Sequence, residues 1–127
     1  LFVVNGANGK KYIAVDCGMA DNPRPAMYQA EYSAVIANNV NSNDKETVTI
    51  AGRFCESGDI LIKDIELLKI NAGDIICVYN TGAYGYSMAS NYNMRLRPAE
   101  VMIMHDGSLK LIRRRDTFED LIRNFEI

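Results

Sequence analysis

ETVTIAGRFCESGDILIKDIELLKI, residues 46–70, holds the pattern that decides the fold. Its first part, ETVTIAGRF, alternates and carries β-branched side chains at Thr47, Val48, Thr49 and Ile50, the signature of a strand. Gly58-Asp59 then turns the chain, and DILIKDIELLKI (59–70) is apolar enough for a second strand and a following bend. Cys55 and Glu56 therefore fall at a strand end. A soft nucleophile beside an acid in that position fits half of an active site. It also fits a packed cysteine and a solvated glutamate.

The same texture continues on both sides. YIAVDCGM (12–19) is a predicted strand after the turn-rich NGANGK (5–10). NAGD (71–74) is a turn, and DIICVYN (74–80) a buried strand. AEVMIMHDGSLKLIRRRD (99–116) is a hairpin, because Asp106-Gly107 adopts positive φ cheaply. NNVNSNDKE (38–46) is a polar loop. The end of the chain predicts a helix: Thr117 can cap it with Asp120 three residues on, and Phe118, Leu121, Ile122 and Phe125 recur at helical spacing. Several short strands with one terminal helix predict an all-β architecture, a small barrel or sandwich.

Bulk properties narrow the function classes. The 127 residues make one domain by length, 48% of them hydrophobic, enough for a substantial core. A net charge of −2 gives no general attraction to nucleic acid or anionic membrane. No apolar run approaches the ~20 residues that span a bilayer. Cys17, Cys55 and Cys77 are odd in number and widely spaced, which fits neither a disulfide scaffold nor structural zinc and points to a reducing, cytoplasmic compartment. His105 is the lone histidine and falls in the predicted hairpin turn, so a solvated role is expected. The chain opens LFVVNGANGKKYIAVD, without an initiator methionine, which suits a piece cut from a longer protein.

Three stretches break the strand pattern without a folding reason: NPRPAMYQAEY (22–32), FCESGD (54–59) and TGAYGYSMASNYNMR (81–95). Such failures of local rules mark functional sites. Arg24 stands between two prolines that stiffen its backbone, and a held guanidinium receives a carboxylate with two prongs. Tyr28 faces the same way if the segment makes one helical turn. Glu56 can receive an ammonium, and Cys55 can move a proton. Tyr84, between Gly82 and Gly85, reads as a ring exposed on a Gly-rich turn, able to bond a phosphate or pack on a cofactor ring. Each stretch also has a plain reading, as an exposed loop, a strand end or an ordinary turn. Cys17, Cys77 and the methionines at 88, 94, 102 and 104 are expected in the core. Arg113, Arg114 and Arg115 are expected to be solvated or ion-paired with the acids of the terminal helix.

In order, AVDCGMADNPRPAMY (14–28), GRFCESGDIL (52–61) and NTGAYGYSMASNYNMRLRPAEV (80–101) resemble the C-terminal part of the diaminopimelate decarboxylases, fold-type III enzymes that use pyridoxal 5'-phosphate. The resemblance runs from about residue 13 to residue 122. It implies a Greek-key-like β-barrel, similar to the C-terminal domain of alanine racemase, spanning residues 1–127 as a single domain with a short C-terminal helix. It implies a partner N-terminal (β/α)₈ barrel, absent from this sequence, that holds most of the cofactor, and a homodimer with its sites at the interface. The implied reaction is decarboxylation of meso-diaminopimelate to L-lysine and carbon dioxide, with no metal, no nucleic acid and no membrane. In that resemblance Cys55, from the opposite subunit, protonates the substrate carbon; Glu56 binds the substrate; Arg24 and Tyr28 grip its distal end; and Tyr84 lies at cofactor and substrate. The fragment alone is expected to be inactive. Related decarboxylases of ornithine, arginine or carboxynorspermidine, and a non-catalytic β-barrel binding module, are the alternatives. The chain departs from the family pattern at Gln29-Ala30-Glu31-Tyr32 and at Leu96.

Overall fold

The computed structural model describes residues 2–7, 9–39 and 43–126. It is mostly sheet with a few short helices, in two compact units, 1–89 and 90–127.

The first unit is built around the stretch that opened the sequence reading. β4 (Lys45–Ala51) and β5 (Ile60–Leu68) pair antiparallel on either side of FCESGD. β2 (Lys11–Ala14) joins β4 in parallel, and β1 (Phe2–Asn5) pairs antiparallel with β2, giving the order β1-β2-β4-β5. A separate antiparallel pair comprises β3 (Ala34–Ile36) and β6 (Ile76–Val78). Two helices complete the unit, α1 (Arg24–Tyr28) and α2 (Gly82–Met88).

Ile13, Ile36, Val48 and Ile50 are wholly enclosed, and Val15, Ala34, Leu61, Ile62, Leu67 and Ile70 pack with them. Each fully buried aliphatic side chain contributes roughly 1.5–3 kcal/mol. Val48, Thr49 and Ile50 are buried in succession, so the middle of β4 is covered on both faces. Thr49 stays satisfied because its hydroxyl donates to Asp64 Oδ1 at 3.3 Å. Asp64 has φ +49 and lies inside β5, where the register with β4 shifts. The strand is thus kinked at Asp64, in addition to the turn that follows it.

The second unit holds a 3₁₀ turn at Tyr92–Met94, an antiparallel pair formed by β7 (Glu100–Ile103) and β8 (Leu109–Arg113), and α3 (Phe118–Ile122). The hairpin turns as expected: Gly107 has φ +81, its N–H donates to the Met104 carbonyl at 2.9 Å, and Asp106 Oδ1 accepts the Ser108 N–H at 2.9 Å. A capping box starts α3, with the Thr117 N–H donating to Asp120 Oδ2 at 2.8 Å. Asp116, largely buried, gathers Asn91, Arg97 and Arg113 about its carboxylate. Arg114 forks onto Asp120, so this part of the basic run is ion-paired.

Several expectations change. Among the described residues the strands form three separate sheets, and no ring of strands closes. GAYGYSM is a seven-residue helix, α2, that follows Thr81 at its N-cap, and neither Gly82 nor Gly85 adopts a positive φ. AVI (34–36) forms β3, too short to stand out by alternation. Cys77 is exposed on β6, and Met94, Met102 and Met104 are also exposed, so these four are not core. Of the expected loop 38–46, residues 40–42 lie outside the described residues, while Lys45 and Glu46 belong to β4. His105 is exposed as expected.

Candidate functional site

Proline chemistry makes the first element of the site. Pro23 caps α1 and Pro25 lies in its first turn, where a missing N–H costs no helical bond and the fixed φ is already helical. Gln29 ends the helix in the left-handed region at φ +56, and its N–H donates to the Pro25 carbonyl at 3.1 Å. One helical turn therefore carries Arg24 at its start and Tyr28 at its end, four residues apart and on one face. Tyr28 is 62% exposed.

α2 supplies the second element. Asn80 turns the chain into it at φ +59, and Tyr84 projects from its first half with 64% of its surface exposed. The Arg24 guanidinium carbon lies 5.9 Å from the centre of the Tyr84 ring. That is a cation–π contact, worth roughly 0.5–1 kcal/mol where exposed. Arg24 also borders a cleft of about 280 Å³ with Glu31, Ser33, Tyr79 and Asn80. Of these cleft residues only Glu31 stood out in the sequence, as one of the departures from the family pattern; Ser33, Tyr79 and Asn80 carried no signal. They come together only because β3 lies beside β6, and the β6 end leads into Asn80.

The third element is the FCESGD loop. The Glu56 N–H donates to the Phe54 carbonyl at 2.8 Å, and the Asp59 N–H to the Glu56 carbonyl at 3.1 Å, which makes the turn. Glu56 Oε1 accepts the Gly58 N–H at 3.1 Å, so the carboxylate curls over its own turn. Cys55 and Glu56 are both exposed.

Asp59 is only 3% exposed, and it is the residue that the sequence reading treated merely as a turn former. Its carboxylate accepts the Phe54 N–H at 2.8 Å and the Met19 N–H at 2.7 Å. The structure thus brings Arg24 beside Tyr84, places Tyr28 on the Arg24 helix, sets Cys55 next to Glu56, and ties the FCESGD loop to the stretch that leads into α1.

Cys17 lies in that stretch, packed against the core. Burial, reinforced by the negative charges of Asp21, Asp16 and Asp59, pushes its thiol up to about 12. It stays protonated at neutral pH and is no nucleophile. Asp21 is also raised, chiefly by burial. Among the described residues no group of acids, cysteines and histidine is arranged to hold a metal ion.

The donor set fits one flank of a pyridoxal phosphate site. An exposed phenol beside a guanidinium can lie against a ring or a phosphate oxygen, and the FCESGD loop separately offers a thiol and a carboxylate.

The family "Pyridoxal-dependent decarboxylase, C-terminal sheet domain" matches residues 2–82. Diaminopimelate decarboxylase of Bacillus subtilis is 51% identical over 114 residues, which cover 90% of this chain and 26% of that protein. The enzyme of that name from Synechocystis is 53% identical over 116 residues, covering 91% of this chain and 24% of the relative. Crystal structures of diaminopimelate decarboxylase from Methanocaldococcus jannaschii, one in co-complex with L-lysine, share the fold at TM-score 0.91 and 40% identity, over 99% of this chain and 28% of that one. The chain therefore spans about a quarter of the length of the curated relatives it matches. Among the described residues no helix is long and apolar enough to cross a membrane. By the extent of the family match and by its fold, the chain belongs to the pyridoxal-dependent decarboxylases, as their C-terminal sheet domain.

Proposed function

We propose that this domain completes the active site of a decarboxylase that converts meso-diaminopimelate to L-lysine and carbon dioxide. The observation that carries the reading is the likeness over 99% of the chain, at TM-score 0.91, to a diaminopimelate decarboxylase crystallised with L-lysine. The remainder of the protein is a cofactor-bearing (β/α)₈ domain, and two copies pair so that each site draws on both.

Pyridoxal phosphate, when bound, supplies the sink for the electrons left when the carboxylate departs. The chain's own residues do the rest. Arg24 holds the distal carboxylate of the substrate through its forked donors. Tyr28, on the same helical face, closes the same end. Glu56 receives the ammonium group on its exposed carboxylate, one oxygen of which also accepts the Gly58 N–H. Tyr84, held in place by the Arg24 guanidinium, lies against substrate and cofactor. Cys55 gives its thiol proton to the substrate carbon after carbon dioxide has left.

Arg24 also argues against ornithine as substrate, since ornithine has no distal carboxylate to fill the receptor. The test uses the full-length protein loaded with cofactor. The parent enzyme forms lysine from meso-diaminopimelate and leaves ornithine nearly untouched. Arg24→Ala raises KM for meso-diaminopimelate about 100-fold, the loss of a buried charge-assisted pair. A parent enzyme that prefers ornithine, or an Arg24→Ala variant with unchanged KM, contradicts the proposal.

A further inference from the structure

Asp59 has no part in the chemistry above, yet it is among the most enclosed polar residues of the chain. Its surroundings are built to receive it. A Cβ added at Gly18 would fall 2.6 Å from Asp59 Oδ1, and one added at Gly52 would overlap the same carboxylate. Neither glycine has a positive φ, so both are required by space and not by conformation. Two N–H donors from opposite sides converge on the carboxylate: Phe54, next to Cys55, and Met19, five residues before Arg24. The backbone joins in, with the Gly52 N–H donating to the Asp59 carbonyl at 2.8 Å. A second strap lies alongside, from Arg53 Nη1 to the Asp16 carbonyl at 3.0 Å.

We infer that Asp59 is a positioning residue of the decarboxylase, a buried clamp that fixes the Cys55–Glu56 loop against the segment bearing Arg24. The inference rests on the function proposed above. Its physical basis is the convergence of backbone donors on one enclosed carboxylate. Each such bond to a charged acceptor is stronger than a neutral one, and an unpaired buried N–H is costly. Removing one acceptor oxygen therefore frees one of the two loops. A loop displaced by about 1 Å costs on the order of 100-fold in rate when it carries a reacting group.

The test compares the full-length, cofactor-loaded parent with Asp59→Asn and Gly18→Ala. Asp59→Asn keeps the shape but turns one acceptor into a donor. Gly18→Ala keeps the carboxylate and presses it out of place. Rates are referred to enzyme that retains cofactor absorbance and a cooperative unfolding transition. Both variants are expected to lose roughly 10- to 100-fold in kcat, with a raised KM for meso-diaminopimelate. A merely structural role lowers the amount of active enzyme and leaves KM where it was. Per-folded-enzyme kcat and KM equal to the parent's in either variant that folds overturn the clamp. If Asp59→Asn does not fold, Gly18→Ala decides alone. An inactive parent enzyme brings down the proposed function and the clamp with it. An active parent that loses activity on Cys55→Ala but tolerates the clamp variants overturns the clamp alone.

Discussion

Three cysteines of one composition class have different fates, and the difference is environmental. Cys17 is packed on the core among three aspartates, while Cys55 and Cys77 face solvent. In the 127-residue chain, iodoacetamide at mildly alkaline pH should therefore modify Cys55 and Cys77 well before Cys17, as read by peptide mass spectrometry. Equal labelling of all three would contradict the burial of Cys17. The same thiol sets a pH limit on stability. Its folded-state value of about 12 lies above that of an unfolded cysteine, ~8.5. Its contribution is therefore complete below about pH 8.5 and is lost as pH rises from there towards 12. A Cys17→Ala variant should lose that alkaline slope. At this scale the exposed candidate residues were legible in the sequence and the enclosed support was not. Cys55, Glu56, Arg24 and Tyr84 were visible as residue types out of place. Asp59 was not, because its partner Met19 is forty positions away and no local pattern joins them. The available signal was a pair of glycines, Gly52 just past the end of β4 and Gly18 in the stretch between β2 and α1, where close backbone approach is a usual reason.

At the scale of elements, short pieces are held by side chains at their ends. α3 has only five residues and relies on its capping box and on the Arg114–Asp120 fork. Thr117→Ala should destabilise it by about 1 kcal/mol, measured by denaturant unfolding. Asp116 does more, because three partners converge on a carboxylate whose side chain is 8% exposed. Burial alone would raise its pKa, but hydrogen bonds from Asn91 and Arg97 outweigh this and hold it below the usual carboxylate range. A depressed folded-state value means stability that is whole above the unfolded pKa, ~3.9, and that drains as pH falls below it. Asp116→Ala should cost about 3 kcal/mol at neutral pH and flatten the acid limb of the stability profile. A loss confined to a few tenths would show that the cluster is solvated. The strands that alternate strongly were legible, and so was the hairpin about Asp106-Gly107. α2 was not, since Gly82 and Gly85 disfavour a helix by roughly 1 kcal/mol each relative to alanine, and no side chain caps it. β3 was lost for its length, three residues, and it is held by pairing with β6 more than by its own sequence. Methionines 94, 102 and 104 were misplaced because a methionine reads as core filler wherever an apolar surface is needed, including one that awaits a partner.

On the scale of the whole molecule, apolar surface is the main observation. Val101, Met102, Ile103, Leu109, Leu111 and Ile112 are all exposed, so the β7–β8 hairpin shows apolar side chains on both faces. In the first unit, Met27, Tyr28, Tyr84 and Tyr86 on α1 and α2 are exposed as well. Exposure of this kind belongs to a surface meant to be covered. The isolated 127-residue chain should therefore self-associate in sedimentation velocity as concentration rises, and a strictly monomeric species would count against this.

In the function proposed, this domain delivers the proton that completes lysine formation. The most direct measurement is the rate of lysine production from meso-diaminopimelate by full-length, cofactor-loaded protein carrying Cys55→Ala. Loss of roughly 100- to 10,000-fold in kcat, with cofactor content retained, is the result expected of a lost general acid. A rate equal to that of the parent protein would contradict the account.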